Sequence, residues 1–271
     1  MTWLLGPPAG LSRTEAKQLL RFGAVSVRNR RRVRHDTKLE PGDLVTISTG
    51  KRRPAKVALH GIKIVHLDEA VIIVDKPAGL LSIGSPREKE RTAHRILNEH
   101  LKALTKSLSQ QAFIVHRLDR ETSGLMLFAR NERIQAALQQ NWKDVTKKYL
   151  ATVEGTPAIA AGTLRDHLLE DKSLRVRRVE KGGELAITHY RVLAERGKRS
   201  ILELQLETGR KHQIRVQLAA FGHPIAGDRK YGATTDPARR LLLHSYELSF
   251  RHPVSGAPMK FLSTPPAPMR A

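Results

Sequence analysis

The chain has 271 residues, 40% of them hydrophobic, which suits one large domain or a small domain followed by a larger one. Its 48 Lys and Arg against 26 Asp and Glu give a net charge of +22, which favours a polyanionic partner, either nucleic acid or a membrane surface. The lack of cysteine excludes disulfides, thiolate zinc sites and thiol catalysis, and no apolar run reaches the roughly 18 to 20 residues that a spanning helix needs. We therefore expect a monomeric, cytoplasmic protein without a membrane span.

The first fifty residues predict a helix followed by a β-hairpin. Residues 12–15 (SRTE) have the Ser-x-x-Glu spacing of a capping box, which indicates that a helix begins there. Val25–Val27 and residues 44–47 are short apolar or β-branched runs, typical of strands.

Five arginines crowd the seven residues 28–34, between the two predicted strands. They are Arg28, Arg30, Arg31, Arg32 and Arg34. A solvated face would explain such a run, but on a chain this basic the pattern favours a surface that contacts phosphates.

This N-terminal segment resembles the S4 RNA-binding domain. The resemblance lies in residues 12–20, 23–27 and 39–45, and it implies that the arginine-rich stretch binds RNA. The basic residues 51–54 (KRRP) are typical of a linker.

The next segments predict strands more often than helices. Residues 71–74 form a fully apolar strand, and in residues 200–207 leucines alternate with polar residues, as in a half-buried strand. Thr92 and Asn131 are predicted to cap two amphipathic helices, and the polar residues 102–111 are predicted to form a loop.

Strands therefore dominate, without regular βαβ alternation. This pattern predicts an α+β fold, with a mostly antiparallel sheet and flanking helices in residues 55–271. An S4-like α/β RNA-binding domain is predicted for residues 1–54.

One acid stands between two arginines in residues 116–124 (HRLDRETSG). The apolar residues 125–129 follow, so Asp119 is predicted to lie on a turn at the mouth of a buried strand. Arg117 and Arg120 favour the ionised carboxylate, which would be available as a nucleophile or a base. A structural ion pair at a strand end explains the pattern equally well.

Two distant residues also suggest a site. Tyr149 is one of four tyrosines and begins a predicted strand; it either packs at a sheet edge or stacks on a nucleobase. Arg215 lies beside the apolar face of a predicted helix, where a half-buried arginine needs an anion.

Common catalytic motifs are absent from the sequence. There is no G-x-S-x-G, Walker A loop, G-x-G-x-x-G or H-E-x-x-H, and the twelve histidines are scattered. The sequence therefore implies no cofactor and no metal site.

Four motifs together resemble the RluA-type pseudouridine synthases. They are residues 75–80 (DKPAGL), 116–124 (HRLDRETSG), 147–149 (KKY) and 208–216 (TGRKHQIRV), in the order of that family. The resemblance covers most of residues 60–262 and implies isomerisation of uridine to pseudouridine in RNA.

The resemblance also implies roles for single residues. Asp119 is the catalytic carboxylate, and Tyr149 stacks on the target base and can assist proton removal from C5. Arg215 pairs with Asp119 and keeps it ionised, whereas Arg117 helps to hold the flipped-out nucleotide. Lys76 is mainly structural.

Two departures from the family pattern are expected to alter RNA contacts without touching the acid. Residues 82–85 (SIGS) stand where the family often places His-Pro, and Gln217 stands where it often has His.

The sequence alone leaves several hypotheses about the function open. Ribosomal RNA is the first expected substrate and transfer RNA the second. A non-catalytic RNA-binding factor for ribosome assembly and a metal-independent hydrolase using Asp119 are the alternatives.

Overall fold

The computed structural model describes residues 2–6, 9–21, 25–27, 33, 35–47, 59–85, 88, 90–105 and 111–270. The chain divides into two compact units, Met1–Ala55 and Lys56–Ala271. The predicted RNA-binding residues lie outside the described residues, and their role stays a prediction; they are Arg28, Arg30, Arg31, Arg32 and Arg34.

The first unit contains the predicted helix and hairpin. Its helices are α1 (Thr2–Leu5) and α2 (Arg13–Arg21), and its strands are β1 (Val25–Val27) and β2 (Val45–Ile47). The two strands pair antiparallel. A small apolar cluster holds these elements together, with Leu4, Ala16 and Val25 buried at its centre.

The second unit is built on one large sheet. Its helices are α3 (Ala93–Thr105), α4 (Glu132–Gln140) and α5 (Gln213–Ala220). Its strands are β3 (Lys63–Leu67), β4 (Val71–Lys76), β5 (Phe113–Ile114), β6 (Ser123–Ala129), β7 (Thr146–Glu154), β8 (Ala161–Glu170), β9 (Val176–Val179), β10 (Glu184–Arg196), β11 (Arg199–Leu206), β12 (Leu243–Arg251) and β13 (Pro258–Leu262).

The sheet order is β3-β4-β6-β12-β7-β11-β10-β8-β9, with β13 beside β12 and β5 beside β6. Within the described part of the chain β6 and β12 are the parallel neighbours, and the other pairs are antiparallel. The predicted α+β class with a mostly antiparallel sheet is confirmed. No helix of the described segments has the length and apolar character to cross a bilayer.

Residues 71–74 of β4 and 125–129 of β6 are all apolar, and both faces of these strands are buried. In β4, Ile72 and Val74 join the core cluster under α3, whereas Val71 and Ile73 join the cluster under α4. The residues of β6 divide between the same two clusters. The helices therefore cover opposite faces of the sheet, and the Asp119 loop leads into the buried strand β6.

Helix α3 is longer than predicted. Residues 102–105 were expected to belong to a loop, but they form the last turn of the helix. Lys102 lies in that turn, where a cation interacts favourably with the negative end of the helix dipole.

Asn131 caps α4, as predicted, by accepting a hydrogen bond of 2.9 Å from the amide of Ile134. We expect Asn131→Ala to lower the free energy of unfolding by about 1 kcal/mol, because that amide loses its partner. Urea denaturation followed by circular dichroism measures this change. Asn131→Asp retains an acceptor and is the control; equal losses in the two variants would contradict the role of the cap.

Gly124 allows β6 and β12 to approach each other. It has φ +113, and a Cβ atom there would stand 2.1 Å from the carbonyl oxygen of Ser245. Gly124 pairs with Ser245 in the parallel register, and Ser245 also pairs with Tyr149 of β7. The glycine that ends the 116–124 motif thus brings the Asp119 loop close to Tyr149.

Candidate active site

Four residues singled out in the sequence line one cleft. Arg117 and Asp119 come from the loop before β6, Tyr149 from β7 and Arg215 from α5. Leu243 of β12 contributes an apolar wall. The described residues that line the cleft belong to the second unit.

Asp119 is partly exposed and faces two basic side chains. Its side chain retains 22% of its exposure, which leaves the carboxylate open to the cleft. One oxygen, Oδ2, lies 3.5 Å from Nη1 of Arg215, and the other, Oδ1, lies 3.9 Å from Nε2 of His212. Neither distance is that of a short hydrogen bond, so both oxygens remain available to a substrate.

Arg215 has a nearer partner than Asp119. Its Nε and Nη2 atoms each donate a 2.7 Å hydrogen bond to Asp228, whose side chain is only 1% exposed. Burial opposes the charge of Arg215, but the bonds and charge of Asp228, together with the charge of Asp119, raise its pKa. The arginine is therefore fixed by Asp228 and presents its remaining nitrogen, Nη1, to Asp119.

Tyr149 is buried beneath the cleft, with 8% exposure. Burial raises the pKa of Tyr149; a hydrogen bond from Ser245 opposes the shift and the charge of Asp119 adds to it. The side chain is therefore a neutral phenol at neutral pH. It offers a ring surface and a hydroxyl, not a phenolate base.

Comparison with known proteins identifies the family. Residues 70–220 match the family model described as RNA pseudouridylate synthase. An uncharacterized RNA pseudouridine synthase of Synechocystis is 34% identical over 277 residues, covering 98% of this chain and 85% of the relative. The chain belongs to the RNA pseudouridylate synthase family. The synthase is therefore an isomerase that converts uridine to pseudouridine in RNA.

Further relatives agree with this assignment. The Ribosomal large subunit pseudouridine synthase D of Zymomonas mobilis is 31% identical over 280 residues, which cover 96% of this synthase and 88% of that protein. The solved structure of Human RNA Pseudouridylate Synthase Domain Containing 4 superposes with a TM-score of 0.64 at 26% identity. That superposition covers 76% of this chain and 89% of the human one.

The backbone of the synthase on both sides of Asp119 is held by residues 76–82. Lys76 Nζ donates to the carbonyl oxygens of Pro77, Leu80 and Arg120 at 2.9, 2.8 and 3.2 Å. On the other side, the Ser82 hydroxyl donates to the carbonyl of Leu118 at 2.6 Å and accepts from its amide at 3.0 Å.

These bonds give Lys76 a structural role. Burial lowers its pKa to about 7, although the charges of Asp119 and Glu121 oppose that shift. Three carbonyl oxygens satisfy the three donors of the ammonium group, which explains how a completely buried lysine is tolerated.

His116, which begins the motif, also supports the loop. Its Nε2 accepts a 3.0 Å hydrogen bond from the amide of Leu127, and its ring stacks on Trp142 at 4.5 Å. Burial, and secondarily the charge of Lys147, lower the pKa of His116 to about 3, so the ring is neutral. A neutral Nε2 is required for it to accept the amide hydrogen.

A second cavity of about 290 Å³ lies beside the cleft and contains Arg120 and Arg91, but not Asp119. The backbone of Arg120 closes the turn, since its carbonyl accepts from Lys76 and from the amide of Gly79 at 2.8 Å. Its exposed side chain faces the second cavity. The carboxylate, the tyrosine and Arg215 converge in the Asp119 cleft, which is therefore the candidate active site.

Sequence reasoning gave no role to His212, which lines the cleft, or to Asp228 and Tyr231, which contact Arg215 behind it. Tyr231 contacts His212 through its hydroxyl at 2.6 Å and lies under the Arg215 guanidinium at 5.1 Å. A buried arginine needs several hydrogen-bond acceptors, and one partly exposed carboxylate does not supply them. This need could have indicated a second acid, such as Asp228, beside Arg215.

The two departures from the family pattern fall partly on buried residues, and their expected effect on RNA contacts stays a prediction. Ser82 is 3% exposed and Gln217 is 1% exposed, so neither is placed to contact RNA. Gln217 accepts from Thr188 at 2.7 Å and donates to Asp166 at 2.9 Å, which is a role in packing. The Ser82 hydroxyl instead forms hydrogen bonds with the backbone of Leu118, the residue before Asp119.

Proposed function

We propose that the synthase isomerises uridines of ribosomal RNA, with Asp119 as the reacting carboxylate. One observation carries the assignment of Asp119. Asp228 is buried, and both of its carboxylate oxygens accept hydrogen bonds from Arg215. Asp119, the other carboxylate near Arg215, is partly exposed in the cleft. Asp119 is therefore the acid that a substrate reaches.

The proposed chemistry begins with extraction of the uridine from its stack, at a cost of a few kcal/mol unless the RNA is unpaired. Asp119 then either attacks the sugar or uracil as a nucleophile or removes the C2′ proton by a glycal-like route. The detached uracil turns over and is recaptured through C5. Tyr149 would stack on the base, and the exposed Arg117 at the rim would hold the flipped nucleotide.

The substrate class rests on similarity along nearly the whole chain. The Zymomonas relative, whose name assigns it to the large ribosomal subunit, aligns over 96% of this synthase. We also propose that the synthase belongs to the RluA-type branch, which its four motifs resemble. We further propose that the first unit is an S4-like RNA-binding domain, supported by the helix and antiparallel hairpin.

Pseudouridine mapping in a deletion strain and its parent tests this function. Carbodiimide treatment and primer extension should show loss of one or a few sites in ribosomal RNA on deletion. Restoration by the wild-type gene is the control. Loss of sites in transfer RNA alone would replace the proposed substrate, and no lost site in either RNA would contradict the proposal.

The arginine-rich stretch of the first unit has a separate test. Replacing Arg28, Arg30 and Arg32 by glutamine should weaken RNA binding and make its salt dependence shallower, by roughly 0.7 in log–log slope per lost single-strand phosphate contact. Fluorescence anisotropy at several salt concentrations measures this slope. A slope equal to that of the wild type would show that these arginines form only a solvated face.

A further inference from the structure

Tyr231 connects the two basic side chains that face Asp119. It lies in the short 3-10 helix Arg229–Tyr231, directly after Asp228. Its ring lies under the Arg215 guanidinium at 5.1 Å and meets the His212 ring edge-on at 5.6 Å. Its hydroxyl lies 2.6 Å from Nδ1 of His212.

The direction of that hydrogen bond follows from the partners of the tyrosine hydroxyl. A hydroxyl has one hydrogen to donate. Among the described side-chain contacts, Nδ1 of His212 is the acceptor that the Tyr231 hydroxyl meets, so the tyrosine donates to it.

The tautomer of His212 follows from this direction. A neutral imidazole carries one hydrogen, and a ring whose Nδ1 accepts carries it on Nε2. Nε2 is the atom that lies 3.9 Å from Oδ1 of Asp119. The contact with Tyr231 thus aims the Nε2–H donor of His212 toward the Asp119 carboxylate.

His212 is neutral despite its acidic neighbour. Burial lowers its pKa to about 4, with Asp119 raising it and Arg215, Lys230 and Lys211 lowering it further. The 3.9 Å contact with Asp119 is therefore not an ion pair at neutral pH. The distance is also too long for a direct hydrogen bond, so the donor is not consumed by the carboxylate.

The backbone of His212 has an energetically unfavourable conformation. His212 has φ 52 in the left-handed region, an uncommon conformation for a residue with a side chain. Gln213 fixes the loop by accepting from Thr208 at 2.8 Å and from the amide of Arg210 at 2.9 Å. Residues held in such conformations cluster at functional sites, so this conformation indicates a functional role for His212.

We infer that His212 contacts the substrate: Tyr231 holds it as the Nε2–H tautomer, and this N–H donates a hydrogen bond to an oxygen of the uracil as the base leaves C1′. The inference deepens the proposed function and rests on it. His212 lies in the 208–216 motif, but the sequence alone indicated no role for it.

The chemistry gives the donor a task in either mechanism. When the C1′–N1 bond breaks, its electron pair goes to uracil, and the negative charge spreads over N1 and the carbonyl oxygens. In the nucleophilic route Asp119 forms a bond to C1′; in the glycal-like route it takes the C2′ proton. In both routes the departing uracil is an anion, and a neutral donor stabilises it without transferring a proton to it.

The first test removes the donor while preserving the size of the side chain. His212→Leu has no donor, whereas His212→Gln keeps an N–H near the Nε2 position; both lack the Tyr231 contact and share the same backbone strain. We expect the leucine variant to lower the single-turnover rate about 100-fold, the effect of losing one donor to a developing anion. RNA affinity should change little, and glutamine should restore about tenfold of the lost rate, since a retained hydrogen bond is worth about that factor.

Equal rates in the wild type and His212→Leu, or equal losses in the two variants at wild-type thermal stability, would overturn the inference. The substrate is ribosomal RNA extracted from the deletion strain. Circular dichroism melts of both variants show whether they are folded.

The second test reads the tautomer directly. In the full-length chain labelled with ¹⁵N-histidine, long-range ¹H–¹⁵N spectra should show a protonated Nε2 and an unprotonated Nδ1 for His212, assigned by its loss in His212→Leu. Tyr231→Phe keeps the ring under Arg215 but removes the hydroxyl, and it should abolish this preference and lower the rate about tenfold. A protonated Nδ1 in the wild type would overturn the inference.

These tests separate the inference from the proposed function. If Asp119→Asn were fully active, or no ribosomal RNA site were lost on deletion, the proposed function would fail whatever the His212 variants showed. If those experiments succeed and the histidine variants behave as the wild type, only the role of His212 fails.

Discussion

Replacement of Asp119 by asparagine is expected to abolish pseudouridine formation while leaving RNA binding nearly intact. The amide has the shape of the carboxylate, but it can neither attack carbon nor accept a proton at neutral pH. A loss of roughly 10³- to 10⁴-fold or more in the single-turnover rate follows, because the reacting group itself is removed. Carbodiimide mapping of ribosomal RNA from the deletion strain, incubated with purified protein, measures the product.

Glu121→Gln is the matched control for this experiment. Glu121 lies two residues further along the same loop and is exposed, so its substitution removes the same charge without touching the cleft. We expect it to retain activity. Full activity of Asp119→Asn would refute the assignment, whereas equal inactivity of both variants would indicate that loop charge, not the Asp119 carboxylate, is what matters.

The sequence predicted those cleft residues whose motif lies at a single strand or helix. The motifs before β6, at the start of β7 and across the start of α5 contain Asp119, Tyr149 and Arg215, and the fold brings all three together. The strand patterns were equally local. The apolar residues 71–74 of β4 and the half-buried β11 have the burial that their sequences indicate.

The features that were missed depend on contacts between distant segments. The parallel pairing of β6 with β12 joins residues about 120 positions apart, as in Ser123 and His244, and no local pattern specifies it. Ser82 and Gln217 are polar and belong to the departures from the family pattern that were expected to alter RNA contacts, yet both are buried and bonded to the protein. Polarity alone does not distinguish a surface contact from a satisfied buried group.

The choice between two carboxylates for Arg215 is the clearest case of this kind. The sequence offers both Asp119 and Asp228 as anions, and only burial and geometry decide between them. Asp228 takes the bidentate bonds at 2.7 Å, and Asp119 keeps a 3.5 Å contact. This division gives one acid a positioning role and leaves the other free to react.

Asp228→Asn should therefore damage both stability and activity. The substitution leaves the Arg215 charge buried with a neutral partner, and breaking a buried pair in this way costs about 3 to 5 kcal/mol of unfolding free energy. The arginine then has Asp119 as its remaining anion, and we expect a closer Arg215–Asp119 pair that reduces the reactivity of the carboxylate. Urea denaturation measures the first effect, and single-turnover kinetics at saturating protein measure the second.

A double variant separates the two effects. Arg215→Met combined with Asp228→Leu removes both charges, and well-packed apolar replacements of a buried pair are often neutral or stabilising. The double variant should regain most of the lost stability but remain slow, because Asp119 no longer faces a cation. Wild-type stability of Asp228→Asn would show that Asp119 already neutralises Arg215. Recovery of activity in the double variant would show that the cation beside Asp119 is dispensable, and that Asp228 serves the fold alone.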